Sequence, residues 1–400
     1  LRQLDISFNM IRNIDITLIR NFNKLRFFLF SNNLIDKFEL FSDKPINLNQ
    51  ISLYNNYFLR NLTIPKINAN VVIQSLNINS NFRLDINLNE TINRMNTKYL
   101  QELYIKQINS KLLSKSIDLF LFENLRVLDL SSNDLRLSYN NLNYLNTINL
   151  KLRRLLLKDT KLNMDAKFLN NFPNLAELDL SNCKILINLA SFLNNSNLLR
   201  LNQLKMSDLD LNSNNLENFR LNKLRMINYL DLSLNKIESI PFGYFDSNSD
   251  LSYLNLSYNL IRDYDFKQIL QNGYIELDLS FNKFQEWNYL DKINFRIESY
   301  SKLYLKGNNF TDLDFNQIIK LYKMNEIDLS LNKIQNFSCP KVLFKINLRI
   351  LKLNHNKFKN VPKCLTKNII TLENINLSFN IIDNLDEDIF LNLIDLLYLD

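Results

Sequence analysis

One short phrase recurs from end to end of the chain: Leu-x-x-Leu-x-Leu-x-x-Asn-x-Ile. Asn332, Asn356 and Asn380 close three consecutive copies, each 24 positions after the last. A fixed spacing of apolar residues around one polar residue leaves few options. Every copy must build the same local unit, and no unit of this size can bury its own apolar face, so neighbours must bury it together. The polar position is held by Asn9, Asn33, Asn56, Asn81, Asn133, Asn214, Asn235, Asn259, Asn282, Asn308, Asn332, Asn356 and Asn380. In the fifth, seventh and eighth copies it is Ile108, Thr160 and Cys183. About sixteen copies fill residues 1–400, and Leu396 and Leu399 open another.

The lettering and period are those of a leucine-rich repeat solenoid. The expected fold is an α/β horseshoe with a concave parallel sheet and an irregular or short-helical convex side, in one domain spanning residues 1–400. Leu-x-Leu alternation makes a short strand, one face buried and one wet. Stacked strands lie about 4.8 Å apart. The turn after each strand exposes peptide groups inside the coil, and a buried Asn can both donate and accept there, forming a ladder. Thr160 and Cys183 are small enough to substitute. Ile108 makes no such bonds, which predicts a local irregularity in the fifth repeat. The period also breaks between Cys183 and Asn214, which lie 31 positions apart.

The outer half of each copy adds a second apolar pair and a Phe, as in Asn235, Ile237, Ile240 and Phe245. Phe22 and Phe390 hold the same place, so the Phe residues should form a second buried column. With this layout, and with Leu-Asp-Leu-Ser-x-Asn at 128–133, 230–235 and 277–282, the chain resembles the ectodomains of the Toll-like receptor and chaoptin families. The resemblance implies a non-catalytic recognition module on the extracellular face of the plasma membrane, part of a receptor or adhesion protein. Its partner would be a protein or a second copy of itself. The alternative is a cytoplasmic repeat scaffold. The cysteine-rich caps usual in such ectodomains do not occur, and the chain starts and stops inside repeats. It therefore reads as an internal piece, attached to a membrane only through an anchor outside it.

Other function classes find little support. The chain has a net charge of +7, but its 41 acidic residues are interleaved with 48 basic ones. The densest basic spot is Lys151, Arg153, Arg154 and Lys158, without a nucleic-acid motif. His355 is the only histidine and precedes ladder residue Asn356, where it should face solvent. Three scattered glycines form no phosphate loop, and the three cysteines have no zinc spacing. We therefore expect no catalysis, cofactor, metal or small-molecule substrate.

Three sets of residues stand out. Tyr229 and Tyr253 share one position of adjacent copies, Tyr258 and Phe281 another, and all four should project from the concave face as a contact site. Asp5, Asp129, Asp179, Asp210, Asp231, Asp278 and Asp328 form a partial acidic stripe in the wet middle of their strands. Aspartate is common in this slot of the repeat class. Cys339 and Cys364 lie seven and eight positions after successive ladder residues. Stacking should bring them within disulfide range, as a bond or as two neighbouring thiols. Asn-x-Ser/Thr sites occur at Asn61, Asn89, Asn194, Asn255, Asn309, Asn336 and Asn376. A chain this rich in Asn produces several by chance, and Asn61, Asn89 and Asn194 are the better glycan acceptors.

Overall fold

The computed structural model describes residues 1–14, 22, 24–40, 46–63, 71–84, 97–108, 122–135, 149–162, 166–185, 189–194, 197–219, 221–270, 273–286, 301–314, 316, 324–339 and 346–400. These residues form two compact units, Leu1–Lys205 and Met206–Asp400.

Both units are parallel-strand coils of the leucine-rich repeat type. In the first, Leu4, Phe28, Ile51, Leu76, Leu103, Leu128, Leu155, Leu178 and Leu204 lie side by side, each one residue before the end of its strand. In the second the row is Leu230, Leu254, Leu277, Leu303, Ile327, Leu351, Ile375 and Leu399. Most strands are three residues long because the pattern turns inward again at once: the central Leu and the next apolar residue, such as Leu277 and Leu279, are both fully buried. Behind the strands lie short helices such as Ser213–Asn218 and Asp263–Leu270, and small parallel pairs such as Lys37–Glu39 with Asn61–Thr63. Phe122, Phe172 and Phe245 are buried on that side, and Phe22 and Phe390 are half-buried.

A single backbone feature marks the register. The residue just before each ladder position has positive φ, from Phe8 (58°) through Tyr258 (54°) to Phe379 (54°), with Gly307 at 68°. For a residue with a β-carbon this conformation costs about 1–2 kcal/mol. The compensation is visible. It aims the amide along the stacking axis, so that Tyr258 N–H donates to the Ser280 carbonyl (2.8 Å) and Phe281 N–H to Lys306 (2.7 Å). Inter-turn hydrogen bonding thus continues one step past the strand.

The Asn side chains complete it. Asn282 Nδ2 donates to the carbonyls of Leu279 in its own turn (3.1 Å) and Leu256 in the preceding one (2.9 Å). Its Oδ1 accepts from Ile261 N–H at 3.0 Å. Asn259, Asn308, Asn332, Asn356 and Asn380 repeat this scheme in the second unit. In the first, Asn33, Asn56, Asn81 and Asn133 do the same. Asn9, the first of the series, donates within its own turn to Ile6 and Ser7. The carbonyl after each strand therefore has two Asn donors wherever two Asn are adjacent. Thr160 and Cys183 keep the backward bond, from Oγ1 to Leu130 (3.4 Å) and from Sγ to Leu157 (2.9 Å).

This redundancy corrects one expectation, and the strand register corrects others. The fifth repeat is not irregular among its described residues: Gln107 keeps φ 54°, and Glu102–Tyr104 pairs in register on both sides. Ile108 can replace Asn because the Ile78 carbonyl retains Asn81 and the Ile105 carbonyl retains Asn133. Asn214, by contrast, is not a ladder residue. It is exposed on helix Ser213–Asn218, which is capped by Asn212. The ladder place belongs to Leu209, whose N–H donates to Asn235 Oδ1 at 2.9 Å. The strand is Gln203–Lys205, with Leu201, Leu204 and Met206 buried. Cys183, Leu209 and Asn235 are then evenly spaced, and the apparent break in period disappears. Asp210 also leaves the strand set: it sits in the turn at φ 56° and pairs with Lys236 (3.0 Å).

Candidate binding surfaces

The strand residues on either side of each buried Leu form the open face of the sheet. In the second unit Tyr229 stands beside Tyr253, their ring centroids 6.2 Å apart, and Tyr253 is 39% exposed. Farther along the same row come Glu276, Lys302 and Glu326. The second row on this face includes Asp231, Asp278, Tyr304 and Asp328.

The strand Asp residues have a local task that the sequence pattern alone did not reveal. Asp231 Oδ1 accepts from Ser233 N–H (2.9 Å), Asp278 from Ser280 (2.8 Å) and Asp328 from Ser330 (2.9 Å). Each carboxylate thereby ties the start of the following turn, an Asx motif. This is the physical sense of the Leu-Asp-Leu-Ser wording. Asn255 and Asn376 make the same bond, to Ser257 and Ser378. The turn needs the oxygen and not the charge.

Ion pairs cross this face from strand to strand. Lys352 meets Glu326 at 2.7 Å and Lys302 meets Glu276 at 3.4 Å. In the first unit Glu177 takes both Arg154 (2.6 Å) and Lys205 (2.8 Å). Burial raises the Glu177 carboxyl, but those two hydrogen-bonding cations outweigh it and leave the group below its ordinary value. Asp278 is shifted upward by burial, opposed by its Ser280 bonds and reinforced by Glu276 and Asp328. Tyr304 is pushed well above the usual phenol range by burial and then by Glu326, Glu276, Asp278 and Asp328.

Tyr258 and Phe281 lie elsewhere than expected. They occupy the positive-φ turn position after the strand, not the sheet face itself. Their rings are stacked, with centroids 4.3 Å apart and planes within 14°, and Tyr258 is 49% exposed. Gly307 holds the equivalent place one turn on. A β-carbon there would come within 2.4 Å of the Phe281 ring, so this close approach requires glycine. The Lys306 ammonium stands 6.0 Å from the Phe281 centroid. The same column carries His355 stacked on Phe379, with centroids 4.2 Å apart. His355 is exposed as expected, and its partner is an aromatic ring.

In the first unit an exposed aromatic group missed by the sequence reading joins Tyr57, stacked on Phe82 at 5.7 Å, with Arg83 over Phe58 at 5.1 Å. Tyr57 and Phe82 each follow a ladder Asn, a place that the repeat pattern leaves unspecified. The basic spot at Lys151 to Lys158 is partly engaged: Arg154 with Glu177, and Arg153 with the Asn174 carbonyl.

Cys339 and Cys364 are joined by a disulfide, with Cα atoms 5.7 Å apart. Cys183 is a buried free thiol, its acidity suppressed by burial to about 12. Asn61 lies in strand Asn61–Thr63 and Asn194 ends helix Leu189–Asn194, half-buried. Asn89 lies outside the described residues. Asn255 and Asn376 are engaged in turn bonds, Asn309 accepts from Lys333, and Asn336 is exposed and donates to Asp312. Among the described residues there is no cluster of three or more potential metal ligands, and no helix is long and apolar enough to cross a membrane.

No family profile matches the chain. Over 138 residues, 33% of its length, it is 28% identical to keratocan of Danio rerio. Over 124 residues, 29% of its length, it is 30% identical to lumican of Homo sapiens. These matches span 38% and 35% of the two relatives' own lengths. Among solved structures, the chain is similar over 100% of its length to the receptor in a TLR13–ssRNA13 complex, covering 60% of that chain, with TM-score 0.64 and 19% identity. A leucine-rich repeat protein of Leptospira interrogans matches over 100% of this chain and 95% of its own, with TM-score 0.53 and 19% identity. The likeness is one of fold: this is a leucine-rich repeat protein, built on a protein-interaction scaffold.

Proposed function

We propose that this leucine-rich repeat chain is a non-catalytic protein-binding module in the ectodomain of a cell-surface receptor or adhesion protein. Its contact residues are Tyr229 and Tyr253 on the sheet face and Tyr258 and Phe281 on the adjoining turn edge. One observation carries the reading. The Tyr258–Phe281 stack is solvent-accessible yet fixed, with Gly307 behind it and left-handed backbone beneath it. A ring already held in place loses little rotamer freedom on binding, and such aromatics dominate contact energies. The Cys339–Cys364 bond favours an oxidising compartment over the alternative of an intracellular scaffold.

Site-specific photo-crosslinking in the protein's native cell tests the contact site. A benzophenone amino acid at Tyr253 or Phe281 should trap a protein partner. The same group at Phe242, which is 95% exposed, should not. Equal trapping at all three sites, or none at the first two, would refute the assignment.

A further inference from the structure

The open face of the second unit indicates what kind of partner segment it accepts; this inference rests on the binding-module reading above. The face has two characters at once. It carries an exposed phenol ring at Tyr253 beside the half-buried Tyr229, with the half-buried Tyr304 farther along the other row. Between and beside them stand five carboxylates, Asp231, Glu276, Asp278, Glu326 and Asp328, against two ammonium groups, Lys302 and Lys352. The local balance is −3, in a chain whose formal net charge is +7.

The two lysines are already committed to Glu276 and Glu326. Among the described residues no cation pairs with Asp231, Asp278 or Asp328. Their Oδ1 atoms are occupied by the turn bonds, but those bonds leave the charge uncompensated. The upward shifts of Asp278 and Tyr304, each driven partly by neighbouring carboxylates, report the same negative potential by a separate route. A carboxylate beside a tyrosine ring offers a guanidinium or ammonium an ion pair and a ring face together. An anionic segment would meet repulsion at the strands of Asp231, Asp278 and Asp328.

We propose that this face, from Tyr229 to Lys352, docks an extended arginine- and lysine-bearing segment of a protein partner. The aromatic pair takes the cation's face, and Asp231, Asp278 and Asp328 take its charge. Electrostatic complementarity of this kind sets orientation and encounter rate, and it weakens with added salt.

The chain itself supplies a clean test. Asn255 and Asn376 make the Asx bond without a charge, so Asp231→Asn, Asp278→Asn and Asp328→Asn preserve the turns. The full chain is titrated with a fluorescent peptide alternating Arg and Tyr, and with its Glu/Tyr counterpart. The triple variant should weaken the Arg peptide at least about tenfold. A charge-matched control, Glu217→Gln with Asp250→Asn and Asp383→Asn at exposed positions away from the sheet, should change it less than about twofold. Equal losses in both variants, no measurable binding of the Arg peptide, or tighter binding of the Glu peptide overturns the proposal. Crosslinking at Tyr253 separates the two levels. A trapped partner whose contacting segment lacks Arg and Lys sinks this inference and leaves the module reading intact, whereas no trapped partner sinks the module reading.

Discussion

The doubled donors of the Asn ladder make a quantitative prediction. In Asn282→Ala, the Leu256 carbonyl keeps Asn259 (3.0 Å) and the Leu279 carbonyl keeps Asn308 (3.0 Å), while Ile261 N–H loses its acceptor. One orphaned buried amide costs about 1–3 kcal/mol, and two weakened carbonyls add about 1 kcal/mol each. The single variant should therefore lose about 3–5 kcal/mol. Asn308→Ala is similar in kind, since Asn282 and Phe284 N–H both use its Oδ1. The double variant leaves the Leu279 carbonyl with no side-chain donor. That carbonyl now bears its full desolvation cost, so the pair should lose about 1–2 kcal/mol more than the two singles together. Asn259 and Asn332 share no carbonyl, and their double variant should be additive within about 0.5 kcal/mol. Urea unfolding followed by far-UV circular dichroism measures both cycles, with m checked for constancy. Asn308→Thr provides a rescue arm, because Thr160 shows that a hydroxyl reaches the preceding turn's carbonyl. Additivity in the adjacent pair, or equal coupling in the distant pair, would refute the redundancy argument.

Two further outcomes are expected. The Asp278 carboxyl titrates above its ordinary value, so its contribution is greatest below the unfolded pKa of about 3.9 and is lost as pH rises through the folded value. Asp278→Asn should accordingly raise Tm at pH 7 and leave it unchanged near pH 3; an unchanged Tm at pH 7 contradicts this. Protein from its native source, digested without reduction and examined by mass spectrometry, should yield the Cys339 and Cys364 peptides linked. Two free thiols there would favour the intracellular scaffold.

Much of this architecture is legible in the sequence because the repeat lettering is itself a packing rule. Buried leucines at fixed spacing stack only one way, and residues at like places in successive turns become neighbours. That logic brought Cys339 towards Cys364 and Tyr229 beside Tyr253. It failed where two registers satisfy the same spacing. Met206, Leu209, Leu211 and Asn214 fit the phrase, including its Asn, whereas the true turn of Leu201, Leu204, Met206 and Leu209 lacks one. Choosing between them depends on strand pairing between turns, which one copy does not display. The tolerance of Ile108 was illegible for a related reason: it depends on bonds supplied by Asn81 and Asn133 in the flanking turns. The turn placement of Tyr258 and Phe281 depends on a backbone angle that their side chains do not favour.

That angle has a consequence for how such a chain can change. The residue before each rung is Phe8, Asn32, Ser80, Gln107, Asp159, Leu234, Tyr258, Gly307 or His355 depending on the coil, yet its conformation scarcely varies. Its amide is spent on the next coil, and its side chain is free of duties in the interior. The protein thus keeps a ruler with evenly spaced marks, on which almost any letter can be rewritten without disturbing the wood.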